Sequence, residues 1–186
     1  MYRRLTQCMA NMAVHDYILL FFHGYCWTRA TLAKTGHDAT LAQSFAAALF
    51  SITFLAIVLK RAELLPLGSG RELLYRLGTY VPLPLSYFEL RWLQSALRHR
   101  LLDYELMAID EWLWGTTPSV WLARFNEPAI IEWFSFFYYA YFWLLMSFTI
   151  PILLFDKGKR KNEGLLGAIL VAVLGHTLYT LVPCNG

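Results

Sequence analysis

The stretch ATLAQSFAAALFSITFLAIVL, residues 39–59, decides the class of fold, because it contains no charged residue and is as long as a bilayer is thick. About 20 apolar residues in a helix cover a hydrocarbon core of roughly 30 Å. A soluble core helix does not need so long an uncharged run. The composition agrees: of 186 residues, 58% are hydrophobic and 17% aromatic, against roughly 45–50% apolar in an ordinary globular chain.

Outward from this run, similar stretches lie at residues 14–33, 73–97, 129–155 and 164–182. The span at 73–97 carries Glu89, Arg91, Pro82 and Pro84. Its prolines predict a kinked helix that faces protein, where neighbours can satisfy the freed carbonyls. Arg3-Arg4 before an apolar run could pass for a secretory signal. However, Trp27, Thr28 and Arg29 follow instead of a small-x-small cleavage site, so this is read as a retained first span.

Residues 101–127 interleave Asp103, Glu105, Asp110 and Glu111 with Leu102, Leu106, Ile109 and Leu113 at helical spacing. Trp112, Trp114 and Trp121 suit the headgroup level as interfacial anchors. The segment reads as an amphipathic helix lying in the interface, broken at Gly115 and Pro118. The expectation is an all-α polytopic membrane protein with about five transmembrane helices and one interfacial helix. Residues 1–186 would form a single helical membrane domain.

Orientation follows from the 16 basic residues. With the N-terminus inside, the inner segments hold Arg3, Arg4, Lys60, Arg61, Arg71, Arg76, Lys157, Lys159, Arg160 and Lys161. The outer segments hold Arg29, Lys34, Arg98, Arg100 and Arg124, while Arg91 stays within a span. This bias predicts N-terminus in and C-terminus out, in what would be a bacterial inner (cytoplasmic) membrane. The net charge of +3 is small and spread between apolar runs, so nucleic-acid binding is not indicated. Cys8, Cys26 and Cys184 form neither an even framework nor a Cys-x-x-Cys pair, so neither a disulfide scaffold nor a metal site is implied.

Ionisable groups in spans are the natural candidates for chemistry. Glu89 and Arg91, two apart on one helix, point in different directions. The plain reading places them near the outer interface, with Arg91 snorkelling and Glu89 meeting a neighbour. Glu132 is read as interfacial too. His23 and His176 each lie towards the middle of a span and are candidate cofactor-binding residues, for a haem or other tetrapyrrole, or a proton relay. The plain alternative is a neutral histidine bonded to a neighbouring helix, and the cofactor is unknown. Lys157, Lys159, Arg160 and Lys161 could meet anionic lipid headgroups or simply fix topology. The aromatic residues of span four, from Trp133 to Trp143, cover every side of the helix, which suits lipid and neighbouring spans. Gly164, Gly167 and Gly175 allow close helix packing.

Two stretches carry a family resemblance. One is Asp110-Glu111-Trp112-Leu113-Trp114-Gly115 with Pro118 and Trp121-Leu122. The other is Gly175-His176-Thr177-Leu178-Tyr179 running to Pro183 and Gly186. Together they resemble the type 2 phosphatidic acid phosphatase superfamily, in its inositol phosphorylceramide synthase-like branch, over roughly residues 73–186. The resemblance implies an acidic-aromatic segment before a long aromatic span, then a span that ends in tyrosine, proline and glycine on the outer side. It also implies a histidine nucleophile acting on a phosphate ester, without metal, through the motifs Pro-Ser-x-His and Arg-x-x-x-x-x-His-x-x-x-Asp. Here Pro118-Ser119 is followed by Val120-Trp121. His99 and Asp103 have the second motif's spacing, but Leu93 occupies the arginine position. No catalytic residue carries over, and the catalytic elements would begin beyond Gly186.

The sequence thus predicts a non-catalytic integral membrane subunit on a lipid-phosphatase-like scaffold, accessory to a larger assembly that could hold a cofactor or pigment. Membrane lipids and other membrane subunits are its expected partners. The alternative is the N-terminal part of a lipid phosphatase or phosphotransferase acting at the outer face.

Overall fold

The computed structural model describes residues 8–33, 36–66, 68–97, 102–155 and 158–183. Helices dominate, and no strand occurs among the described residues. They are α1 (Val14–Thr31), α2 (His37–Arg61), α3 (Ser69–Tyr80), α4 (Pro82–Leu97), α5 (Asp103–Trp114), α6 (Pro118–Leu122), α7 (Pro128–Leu154) and α8 (Lys159–Leu181), with a 3₁₀ turn at Ala123–Phe125. Three helical segments among the described residues are long and apolar enough to cross a membrane: His37–Arg61, Pro128–Leu154 and Asn162–Leu181. α1 is 18 residues long but carries Asp16, His23 and Arg29. α3 and α4, at 12 and 16 residues, are each too short alone.

The span expected at 73–97 is therefore two helices that begin earlier, at Ser69, and change over at Val81. Pro82 and Pro84 supply the cause, since neither has an N–H for the preceding turn. Val81 itself stays in the right-handed helical region and bonds back to Leu77 O at 3.0 Å. The junction is accordingly a proline kink and not a loop.

The chain divides into two compact units, residues 1–100 with 166–183, and residues 101–165 with 184–186. In the first unit, α2 packs along α1, α3 and α4. The α1–α2–α4 seam is built from Ala30, Ala42 and Ala46 against Leu90 and Leu93, small residues that let backbones approach closely. A second cluster joins α1, α4 and α8 through Leu19, Phe22, Cys26, Leu83 and Ile169. The buried positions of α1 recur three and four apart (Asp16, Leu19, Phe22, His23, Cys26, Ala30), which places them on one face.

In the second unit, α5 ends at Gly115, whose φ of +70° is left-handed and whose N–H bonds Glu111 O at 2.9 Å. Pro118 then opens α6 at a position where its missing N–H costs nothing. The break expected at Gly115 and Pro118 is present, and its physical basis is a C-cap followed by a proline start. Gly115→Ala should lower stability by about 1–2 kcal/mol through the left-handed φ, and Gly115→Asn by less, as read by denaturation in detergent. Equal losses for the two would remove the backbone argument.

α7 runs 27 residues from Pro128. Almost all its described side chains are exposed, among them Phe134 at 68%, Trp143 at 76% and Phe148 at 63%. Gly164 at the start of α8 lies against Ile152 of α7, where an added Cβ would meet the isoleucine methyl at 3.6 Å.

Candidate functional site

Polar chemistry in the first unit gathers at two levels. The first is where α1 starts, α2 ends and α3 runs past them. Asp16 is wholly buried, and its carboxylate accepts three hydrogen bonds: from Arg61 Nε at 2.8 Å, Tyr75 Oη at 2.6 Å and the Ala13 backbone N–H at 2.8 Å. Arg61 Nη2 also donates to Tyr75 Oη at 3.0 Å. His15 Nε2 lies 2.7 Å from the same oxygen. The single Tyr75 proton points at Asp16, so His15 must donate, which fixes its proton on Nε2. Lys60 Nζ sits 3.9 Å from the centre of the Tyr75 ring and bridges Glu72 at 2.6 Å, and Glu72 also binds Arg76 at 3.1 Å. Just before α1, burial, then the Asp16 charge, push the Cys8 thiol above its ordinary range, against the opposing pull of Arg61. Every oxygen of this clamp is satisfied, so it fastens the start of α1 and the end of α2 to the middle of α3 rather than offering a reactive group.

The second level lies towards the middle of the helices. His23 is fully buried, and neither ring nitrogen has a hydrogen-bond partner. The Phe22 ring lies 5.1 Å from His23 and 5.9 Å from His176, centre to centre. His176 Nδ1 is 2.9 Å from Ser86 Oγ, whose own proton goes to Leu83 O at 2.6 Å. His176 therefore donates through Nδ1, leaving its Nε2 with a free lone pair. One turn further along α4, Glu89 is fully buried with both carboxyl oxygens unpartnered. Thr53 Oγ1 on α2 is likewise buried without a partner.

The candidate residues separate accordingly. His23 and His176 fall in the same unit, with ring centres 5.1 Å and 5.9 Å from that of Phe22. Among the described residues, no three His, Cys, Asp or Glu side chains gather in a way that could hold a metal ion. Glu89 does not meet the neighbour expected of it: α4 turns it inward beside Ser86 and Leu90, and both its oxygens lack a partner. Arg91 points outward and is exposed. Glu132 is exposed on the first turns of α7. Trp112 (83% exposed), Trp114 (70%) and Trp121 (43%) stand out from α5 and α6.

Lys157 and Cys184 lie outside the described residues. Lys159, Arg160 and Lys161 open α8, and no acidic residue shares that first turn. Their side chains, like all of Lys157, lie outside the described residues. Cys26 is buried and free.

The clamp at Asp16 is what sequence reading passes over. Its signal was available: an acid early in span one, and a lysine–arginine pair at the end of span two, in helices that a short connection makes antiparallel. No family model, curated protein or solved structure matches this chain.

Proposed function

We propose that the chain is a five-span integral membrane subunit with a structural or accessory role in a larger membrane assembly. The observation that carries this reading is α7. Almost all its described aromatic and aliphatic side chains are exposed along its 27 residues. Left in water, such a surface forfeits about 25 cal/mol for every Å² of apolar area, so lipid and partner spans are its natural cover. The spans are α1, α2, the kinked α3–α4 pair, α7 and α8, with α5 and α6 lying in the outer interface. The N-terminus is inside and the C-terminus outside, in a bacterial inner membrane. The grouping of Arg61, Lys60 and Arg76 at one end of the first unit supports this orientation, as do the exposed tryptophans of the interfacial segment.

Photo-crosslinkers at Phe134, Phe137 and Trp143 are expected to capture both lipid and another polypeptide in native membranes. Lipid adducts alone, with a monomer on native mass spectrometry, would exclude the accessory role. Cysteines replacing Trp112 and Trp114 should label from the outer side; labelling from the cytoplasmic side alone inverts the topology.

A second reading is favoured by one arrangement: an acidic-aromatic helix that stops at a left-handed glycine, a proline start, then a long aromatic helix. This order suits the front portion of a lipid phosphatase or phosphotransferase of the phosphatidic acid phosphatase type. Intact mass of the natively purified protein separates the two readings. A mass matching 186 residues favours the accessory role, and a larger one, with hydrolysis of a lipid phosphate ester, favours the enzyme.

A further inference from the structure

Glu89 sits in the interior of the first unit, on the inward face of α4 with Ser86, Leu90 and Leu93. It is 0% exposed, and neither carboxyl oxygen has a partner. From α1, Cys26 is within electrostatic reach, and His23 lies one turn away from it on the same buried face. From α8, His176 reaches Ser86, one turn before Glu89. The buried face of α2 holds alanines, Leu49 and Thr53, residues 39–59 hold no charge at all, and Asp38 at the start of α2 accepts a hydrogen bond from Ser95 of α4. Of the nearest cationic side chains along the chain, Arg91 is exposed on α4, and Arg29, in the last turn of α1 with its guanidinium 5.7 Å from the Tyr25 ring centre, also reaches Cys26 but makes no hydrogen bond to Glu89.

An ionised carboxylate in that setting would lose its hydration with nothing to replace it. Binding a proton removes the charge and costs far less. Intramembrane carboxyls of this kind mark proton and ion pathways in membrane proteins generally. The same unit holds two further bases: the buried His23 ring keeps both nitrogens unpaired, and His176 keeps a lone pair on Nε2.

We propose that Glu89 is a membrane-embedded proton-binding site, which holds its proton at neutral pH on the inward face of α4. This rests on the membrane reading of the first unit but not on the accessory role, since it concerns α1, α4 and α8 alone. The proton is the ligand, and the site is also a target for an apolar carbodiimide. In that reaction the carboxyl oxygen bonds to the carbodiimide carbon and the acid proton passes to nitrogen, giving an O-acylisourea with no leaving group. An acyl shift to nitrogen then fixes the adduct, and an ionised carboxylate lacks the proton this addition needs.

The experiment is infrared spectroscopy of the full chain in lipid nanodiscs at pH 7, with Glu89→Gln beside it, followed by dicyclohexylcarbodiimide treatment and peptide mapping. The expected result is a protonated-carboxyl stretch that is lost in Glu89→Gln, and an adduct on the Glu89 peptide that is lost with it. Absence of that stretch in the unmodified chain means that Glu89 is ionised, paired with a cation or water, and overturns the proposal. Should Glu89→Gln fail to fold, ¹³C-glutamate labelling of the unmodified chain decides. A downshifted protonated-carboxyl band with the adduct mapped to Glu89 upholds the site, and no downshift refutes it. Insertion into nanodiscs is scored separately, so failure of the membrane reading shows as a chain that does not insert.

Discussion

Asp16→Ala is expected to destabilise the first unit by about 3–5 kcal/mol, the usual loss when one partner of a buried ion pair is removed. The change strips the acceptor from Arg61 Nε, from Tyr75 Oη and from the Ala13 N–H at once. It leaves a guanidinium whose side chain is only 17% exposed without its carboxylate. Arg61→Ala should cost a similar amount for the converse reason, because the bare Asp16 charge is fully buried. The double variant should cost much less than the two single losses combined, with a coupling of about 0.5–3 kcal/mol. Denaturation in detergent, followed by tryptophan fluorescence, reads all three. Additive losses would mean that Asp16 and Arg61 act independently, and the clamp would not be what fastens α1 to α2.

Gly78→Ala should also be strongly felt, although in an isolated helix alanine is better than glycine by about 1 kcal/mol. A Cβ at Gly78 would overlap the Ala56 Cβ on α2, with Ile52 O 3.6 Å and Ala56 Cα 3.8 Å away. Both neighbours are rigid helix atoms, so α2 and α3 must move apart. Overpacking of this sort costs about 1–3 kcal/mol, enough to outweigh the gain in propensity. Ala56→Gly should rescue Gly78→Ala, because the space is shared. A stabilised Gly78→Ala variant would show that α2 and α3 do not touch there. Loss without rescue by Ala56→Gly would place the fault elsewhere in α3.

The helices were legible where local rules suffice. Residues 39–59 read as a span because length and lack of charge are properties of the segment alone, and α2 covers them in full. Gly115 and Pro118 marked a break because a left-handed cap and a missing N–H are set by residue type. The kink near Pro82 was visible for the same reason, but its division of span three into α3 and α4 was not. How far a helix continues past a proline depends on what packs against the freed carbonyls.

The polar interior was much less legible. His23 and His176 stood out because histidine is rare in apolar runs, yet their shared neighbour Phe22 depends on α1 meeting α8. Glu89 was expected to meet a neighbour, and two residues along a helix say nothing about whether it or Arg91 faces inward. The facing was decided by Ser86, Leu90 and Leu93, which share the buried stripe with Glu89.

By itself, the sequence determined that the chain is helical, that residues 39–59, 129–155 and 164–182 hold segments apolar enough for a bilayer, and where Gly115 and the prolines interrupt the helices. Hydropathy and backbone freedom are local, so composition and order carry them. Only the tertiary structure decided that Asp16, Arg61 and Tyr75 meet, that Gly78 is pressed against Ala56, and that Glu89 is sealed from any partner. Those contacts join residues tens of positions apart, and their energies come from desolvation and close packing that exist only once the helices have met.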